Sequence, residues 1–198
     1  MVLEIHNYGD PVLRKKGERV VHFDATLEQF IKDLAQTITA IDAAGLAAQQ
    51  VGVDLAVCVL DPSRANLGNC IYDDKEIPIN LLLPLAIVNP CEIKFGVKKC
   101  VYSEGCMSIP GNIFGDVERP ESICVKFQDI KGAWHTLEAK GVLGRVLQHE
   151  LDHLEGILFI DRMARRDLMR IENKLKKLRR ETQSALKQKS KGSHANGL

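Results

Sequence analysis

The amino-acid sequence predicts an α+β fold: antiparallel sheets packed around a central helix, with a further helix on the surface at the C-terminal end. Three features of the chain carry this reading. Apolar residues recur at helical spacing over 25–42 and 142–154. Between those stretches, short segments alternate apolar and polar residues with a period of two and are joined by turn sequences. Beyond residue 166 charge dominates and only a narrow apolar stripe remains.

The elements follow in order. In the first helix, 25–42, Thr26 and Gln29 have the spacing of a capping box, and Leu27, Phe30, Ile31, Leu34, Ile38 and Ile41 share one face. Small residues over 43–50 make a tight passage into a strand at 55–60. The stretch 62–78 is polar, contains Asn66, Gly68, Asp73 and Asp74, and reads as a long surface loop. Strand-like segments lie at 85–89, 92–95 and 98–102. Ile123, Val125 and Phe127 alternate with Cys124, Lys126 and Gln128, and 129–132 turns this strand into another at 133–139. In the helix at 142–154, Leu143, Leu147, Leu151 and Leu154 form one stripe, while Val146, His149, Glu150 and His153 form a second. Both faces are committed, which places this helix centrally, and Gly156 supplies a stop. Leu168, Ile171, Leu175 and Leu178 give the last helix, 167–189, its stripe, and 190–198 are expected to be disordered. The chain thus divides into a catalytic body, 1–164, and a basic helix and tail, 165–198.

Composition narrows the class. With 198 residues, 45% hydrophobic and 27% charged, the chain can bury one core, which excludes a collagen, a disordered chain and a disulfide-stapled scaffold. The longest apolar run, 79–88, is broken by Asn80 and Pro84, far short of the roughly 20 residues of a membrane helix. Residues 1–10 carry Glu4, His6 and Asp10 and no apolar signal core, so the expected location is the cytoplasm and the six cysteines are expected to be free thiols. A net charge of +1 conceals a division: 165–198 holds 11 Lys/Arg against 3 Asp/Glu, and the remainder 16 against 23. An acidic body with a basic tail suggests an anionic partner for the tail.

His149-Glu150-Leu151-Asp152-His153 carries the chemistry. Histidines four apart share a helix face and can reach one metal ion, and the glutamate beside the first can take a proton from a metal-activated water. A helix with two satisfied histidines and a solvated acid is the plainer alternative. Downstream, only Glu155 and His194 could complete a ligand set, so a zinc protease is poorly supplied. Upstream, Cys106 lies in a turn-like Glu104-Gly105-Cys106-Met107-Ser108; its thiolate would join two imidazoles and leave a fourth position open, although alone it reads as an ordinary thiol.

Three ordered motifs now converge. Ala43-Ala44-Gly45-Leu46-Ala47-Ala48-Gln49-Gln50, the Cys106 segment and the His149 segment resemble the G-x-G-L-A-A-x-Q, E-G-C-L-S and H-E-x-D-H motifs of the peptide deformylase family, within a resemblance spanning 5–163. Ala43 stands for the family's first glycine, Met107 for its leucine, and Asn112-Ile113-Phe114 where relatives often carry Arg or Tyr. The resemblance implies removal of the formyl group from the formyl-methionine of nascent polypeptides, with release of formate. It implies Cys106, His149 and His153 as ligands of one divalent ion, Fe(II) natively, with Zn, Ni or Co as substitutes. It makes Glu150 the general base, with the Gln50 amide and the Met107 N–H stabilising the formyl oxygen. Gly45 would let the substrate backbone approach closely, Gly105 would contact the substrate, and Leu46 and Val146 would border the methionine pocket. Asp152 is expected to orient by pairing with Arg119 or Arg145. The partners implied are formyl-Met peptides and, through the basic tail, the ribosome, with no membrane and no DNA. Three other readings are an H-E-x-x-H metallopeptidase, a deformylase-like enzyme of altered substrate, and a metal-bound peptide-binding module without turnover.

Overall fold

The computed structural model describes residues 1–63, 65 and 68–195. Helix α1, Ala25–Ile41, begins at Asp24, whose carboxylate accepts from the Thr26 and Leu27 N–H groups at 3.0 Å each. Asp24 replaces the expected Thr26–Gln29 box, because Thr26 already lies inside the first turn and the Gln29 amide donates to Asp33. Short strands β1 (Gly45–Ala47) and β2 (Val57–Leu60) follow.

The stretch 62–78 is not simply a loop. It contains strands β3 (Asn69–Tyr72) and β4 (Lys75–Pro78), joined by Asp73 and Asp74 at φ 48° and 62°. That is a two-residue turn of the kind hairpins favour. Its strands are mostly exposed, which hid them in a polar sequence. Asn66 falls outside the described residues. The segments expected at 85–89 and 92–95 are one bulged strand, β5 (Leu85–Phe95), with Asn89 and Glu92 at positive φ. Strand β6 (Lys99–Glu104) pairs with β7 (Gly115–Pro120), which the sequence reading missed because its inward side includes an arginine: Gly115, Val117 and Arg119 are buried, Asp116 and Glu118 exposed. Strands β8 (Ser122–Gln128) and β9 (Trp134–Lys140) form the expected hairpin. Helix α2, Gly141–Leu154, is followed by Gly156 at φ 71°, then by α3 (Phe159–Arg162) and α4 (Arg165–Ala195).

The described strands form an antiparallel seven-stranded sheet, β1-β2-β5-β8-β9-β3-β4, and the separate β6-β7 pair. The large sheet is covered on both faces. In β2, Val57 and Val59 pack with α1, whereas Cys58 and Leu60 join the cluster of Leu143, Leu147, Leu151 and Leu154 from α2. Helix α2 therefore lies across the sheet with its leucine stripe down, while on its second stripe His149 reaches Glu104 at the end of β6 and Glu150 lies against Gly45 of β1. A third cluster joins Leu13, Ile109, Ile113, Val117, Phe159 and Leu175. Leu175 lies on α4, with Leu168, Ile171 and Leu178 packed beside it, so packing runs across the expected boundary at 164. Helix α4 continues through 190–195, expected to be disordered; 196–198 lie outside the described residues.

Candidate active site

Helix α2 holds His149 and His153 one turn apart, their ring centroids separated by 5.0 Å. Cys106 follows β6, in a turn closed by the Ile109 N–H on the Cys106 carbonyl at 2.9 Å. Its Sγ lies 3.3 Å from His153 Nε2. One donor atom from each of Cys106, His149 and His153 lies within 4.8 Å of the others. A thiol and two imidazoles that close together are a borderline-soft donor set that suits Zn or Fe(II) and keeps positions open.

The surroundings aim these donors. His149 Nδ1 sits 3.0 Å from Glu104 Oε2, which leaves Nε2 for the centre. Burial disfavours charge on His149, but its hydrogen bonds with Cys106 and Glu104 outweigh this and push its pKa up to about 10, so a cation here competes with a proton. Burial holds His153 well below the usual imidazole range, in the neutral form a ligand needs. Glu104 is buried, yet His149 and Arg119 hold its carboxyl well below the usual carboxylate range. Arg119 Nε and Nη2 donate to it at 2.7 and 2.9 Å, and Arg145 Nη1 at 2.7 Å. Arg119 Nη1 reaches on to Asp152 at 2.7 Å, and Arg162 Nη2 donates to Asp152 at 2.6 Å. Asp152 thus pairs with Arg119, as anticipated, while Arg145 goes to Glu104. The sequence reading gave Glu104 no role; the available signal was an acid two residues before the thiol, in a chain whose first histidine needs an acceptor.

Glu150 follows His149 on α2, and its Oε2 is buried and without a hydrogen-bond partner among the described residues. Burial pushes its pKa up to about 7 against the pull of His149 and Arg119. A Cβ on Gly45 would lie 2.8 Å from Glu150 Oε1, so only glycine lets β1 pass this close. Gln50 sits in the 3₁₀ turn Ala48–Val51 after β1. Its Oε1 accepts from Ala47 N–H at 2.8 Å, and its Nε2 lies 3.4 Å from Cys106 Sγ and 3.5 Å from Ser108 Oγ. Residues 6–8 brace both loops: His6 N–H donates to the Gln50 carbonyl at 2.8 Å, and Tyr8 N–H to that of Ser108 at 2.7 Å.

A cleft of about 520 Å³ opens over this centre, lined by Gly45, Gln50, Gly105, Met107, Val146 and Glu150 among others. Leu46 is not among its lining residues. Alternation along β1 turns Leu46 into the core under α1, which corrects the expectation that its side chain borders the methionine pocket.

Comparison with known proteins bears on this geometry. The polypeptide deformylase profile matches residues 2–169. The chain belongs to the polypeptide deformylase family. A peptide deformylase of Opitutus terrae is 43% identical over 190 residues, 94% of this chain and 98% of the relative. One from Picosynechococcus is 41% identical over 161 residues, 81% and 79% of the two chains. Among solved structures, the peptide deformylase of Thermotoga maritima matches with a TM-score of 0.69 at 36% identity, covering 83% of this chain and 99% of that one. That of Synechococcus elongatus, solved with actinonin, gives 0.73 at 38% identity over 87% and 85%. The family is metal-dependent, and its activity, hydrolysis of the N-formyl group of nascent polypeptides, is the activity of this enzyme. No helix among the described residues is long and apolar enough to cross a membrane.

Proposed function

We propose that Cys106, His149 and His153 hold one divalent ion, Fe(II) in the cell, with Zn, Ni or Co able to substitute, and that Glu150 is the acid–base of formyl-methionine hydrolysis. The observation that carries the reading is a Cys/His/His donor set within 4.8 Å beside a buried, unpartnered carboxylate oxygen. When bound, the ion supplies Lewis acidity to the formyl oxygen and lowers the pKa of water. Glu150 Oε2 takes a proton from the attacking water and returns it to the departing methionine nitrogen. The C–N bond breaks as formate and the free amine form. Burial, which raises the pKa of Glu150 above the usual carboxylate range, makes it a better proton acceptor than an exposed carboxylate. The Gln50 Nε2 and the Met107 N–H donate to the formyl oxygen as it gains charge. Gly45 and Gly105 present bare backbone on the cleft wall to the substrate backbone, and Val146, on the helix face beside His149, borders the methionine pocket. The enzyme works in the cytoplasm, and the basic face of α4 binds ribosomal RNA near emerging chains.

Anaerobic purification, elemental analysis and a formate assay on formyl-Met-Ala-Ser test the assignment. One equivalent of divalent metal, lost in Cys106→Ala together with formate release, is the expected result. Full metal content in Cys106→Ala would overturn the ligand set.

A further inference from the structure

We infer that Phe114 is a specificity-determining residue that selects for an apolar or aromatic side chain on the residue following formyl-methionine. The inference rests on reading the cleft as the formyl-Met site. The deep end of the cleft is defined by the buried Gln50 and Glu150 and by the half-buried Cys106 and His149, so the reacting end of the substrate belongs there. The rest of a nascent chain must leave toward solvent, and the cleft's exposed rim is what its next residues meet. The large apolar side chains exposed on that rim are Met107 (39%) and Phe114 (58%).

Phe114 is a built surface and not a chance exposure. Gly111 and Asn112, at φ 93° and 54°, turn the chain so that Ile113 enters the third core cluster. Gly115 is fixed on the other side, where a Cβ would collide with the end of the Met163 side chain. With both neighbours buried, the ring of Phe114 is held outward. One side of it is anchored on Gly105, whose added Cβ would lie 2.6 Å from Phe114 Cε1; the other side is open. A ring fixed in advance loses little freedom when a substrate side chain covers it. It carries no hydrogen-bonding group, so its selectivity is for apolar area and for ring stacking.

The test is a formyl-Met-X-Ser series with X as Ala, Leu, Phe, Lys and Asp, read as kcat/KM. The wild-type enzyme is expected to favour Phe over Ala at X by roughly three- to tenfold, and Asp least. In Phe114→Ala the Phe/Ala ratio should fall to about one. In Phe114→Leu, which keeps apolar area without a ring, Leu at X should stay favoured and the advantage of Phe should shrink. Partial misfolding would lower kcat/KM for every substrate by the same factor and cannot itself move the ratio, which therefore reports the folded enzyme alone. A flat wild-type series, or a Phe/Ala ratio that survives Phe114→Ala, would overturn the inference while leaving the site assignment standing. Absence of formate from every peptide would overturn the reading of the cleft itself, and this inference with it.

Discussion

Glu104 concentrates more interactions than any ligand it supports. Two arginines and His149 converge on one buried carboxylate, which engages Nδ1 of the imidazole and leaves Nε2 for the donor cluster. Glu104→Gln should therefore weaken metal binding by about 10- to 100-fold in chelator competition. Left facing an amide, Arg119 and Arg145 should also cost the fold about 3 kcal/mol, visible as a lower melting temperature. Glu150→Gln should behave in the opposite way. It should keep its metal and lose turnover by about 10²- to 10⁴-fold; loss of the ion on this substitution would make Glu150 a ligand and end its assignment as the base. Gln49 shows the same accounting without function. Its amide is fully buried and neither its nitrogen nor its oxygen has a partner among the described residues. Gln49→Leu should raise unfolding free energy by about 1–2 kcal/mol in urea melts, because an unmade hydrogen bond is replaced by apolar contact. A drop in stability would mean that the amide is satisfied in solution by buried water.

Secondary-structure elements meet at a second charged cluster, remote from the cleft. His135 on β9 lies 2.7 Å from Asp73 in the β3–β4 turn and 3.4 Å from Asp129 in the β8–β9 turn, with its ring stacked on Tyr72. Burial works against charge on His135, but the two carboxylates outweigh it and raise its pKa, while Asp73 and Asp129 are held below the usual range. The raised histidine stabilises the fold fully below its unfolded pKa of about 6.5 and loses this as pH rises through the folded value. The carboxylates contribute above their unfolded value of about 3.9 and lose it as pH falls through their lowered folded values. The two turns should thus be tied most firmly between about pH 4 and 6.5. Comparing melting temperatures at pH 5.5 and 8.5, the wild type should lose more than His135→Gln; equal losses would remove the cluster from the pH response. This cluster also shows where sequence reading ends. Helices α1, α2 and α4 and the β8–β9 hairpin were legible because their burial is periodic. The β3–β4 hairpin was not, since its strands are largely exposed and its turn is set by two aspartates at positive φ in place of the usual Asn-Gly. Strand β7 buries Arg119 at a position where a binary pattern expects an apolar residue, and that arginine has meaning only through Glu104 and Asp152, distant in sequence. Cys106, His149 and His153 were legible as motifs; the acid that orients His149 stands inside one of those motifs, but its partners come from β7 and α2 and only the fold brings them to it.

At the scale of the whole molecule, charge is segregated: the body is acidic, and α4 carries the basic surplus on a face turned away from the core. Its apolar stripe, Leu168, Ile171, Leu175 and Leu178, packs on the third cluster. Arg170, Lys174, Lys176, Lys177, Arg180 and Lys187 are exposed. Some of these cations pair within the helix, Arg170 with Asp167 and Lys176 with Glu172, but three acids cannot neutralise 11 bases. The far end is also tied to the body, Lys189 to Glu4 at 2.5 Å. Deleting everything after Ala164 would therefore remove core as well as charge, since Leu175 alone is worth about 1.5–3 kcal/mol of burial. Neutralising Lys174, Lys177, Arg180 and Lys187 to Gln separates the two effects, because it leaves the stripe intact. The substituted protein should release formate from formyl-Met-Ala-Ser at the wild-type rate, since none of these residues lines the cleft. It should co-sediment with ribosomes less, and its dependence of log affinity on log salt should flatten by up to about 0.9 for each phosphate that the helix no longer neutralises. Unchanged sedimentation across salt concentrations would show that α4 serves only as a solvated strut, its charge keeping the protein in solution and its stripe closing the core beneath the cleft.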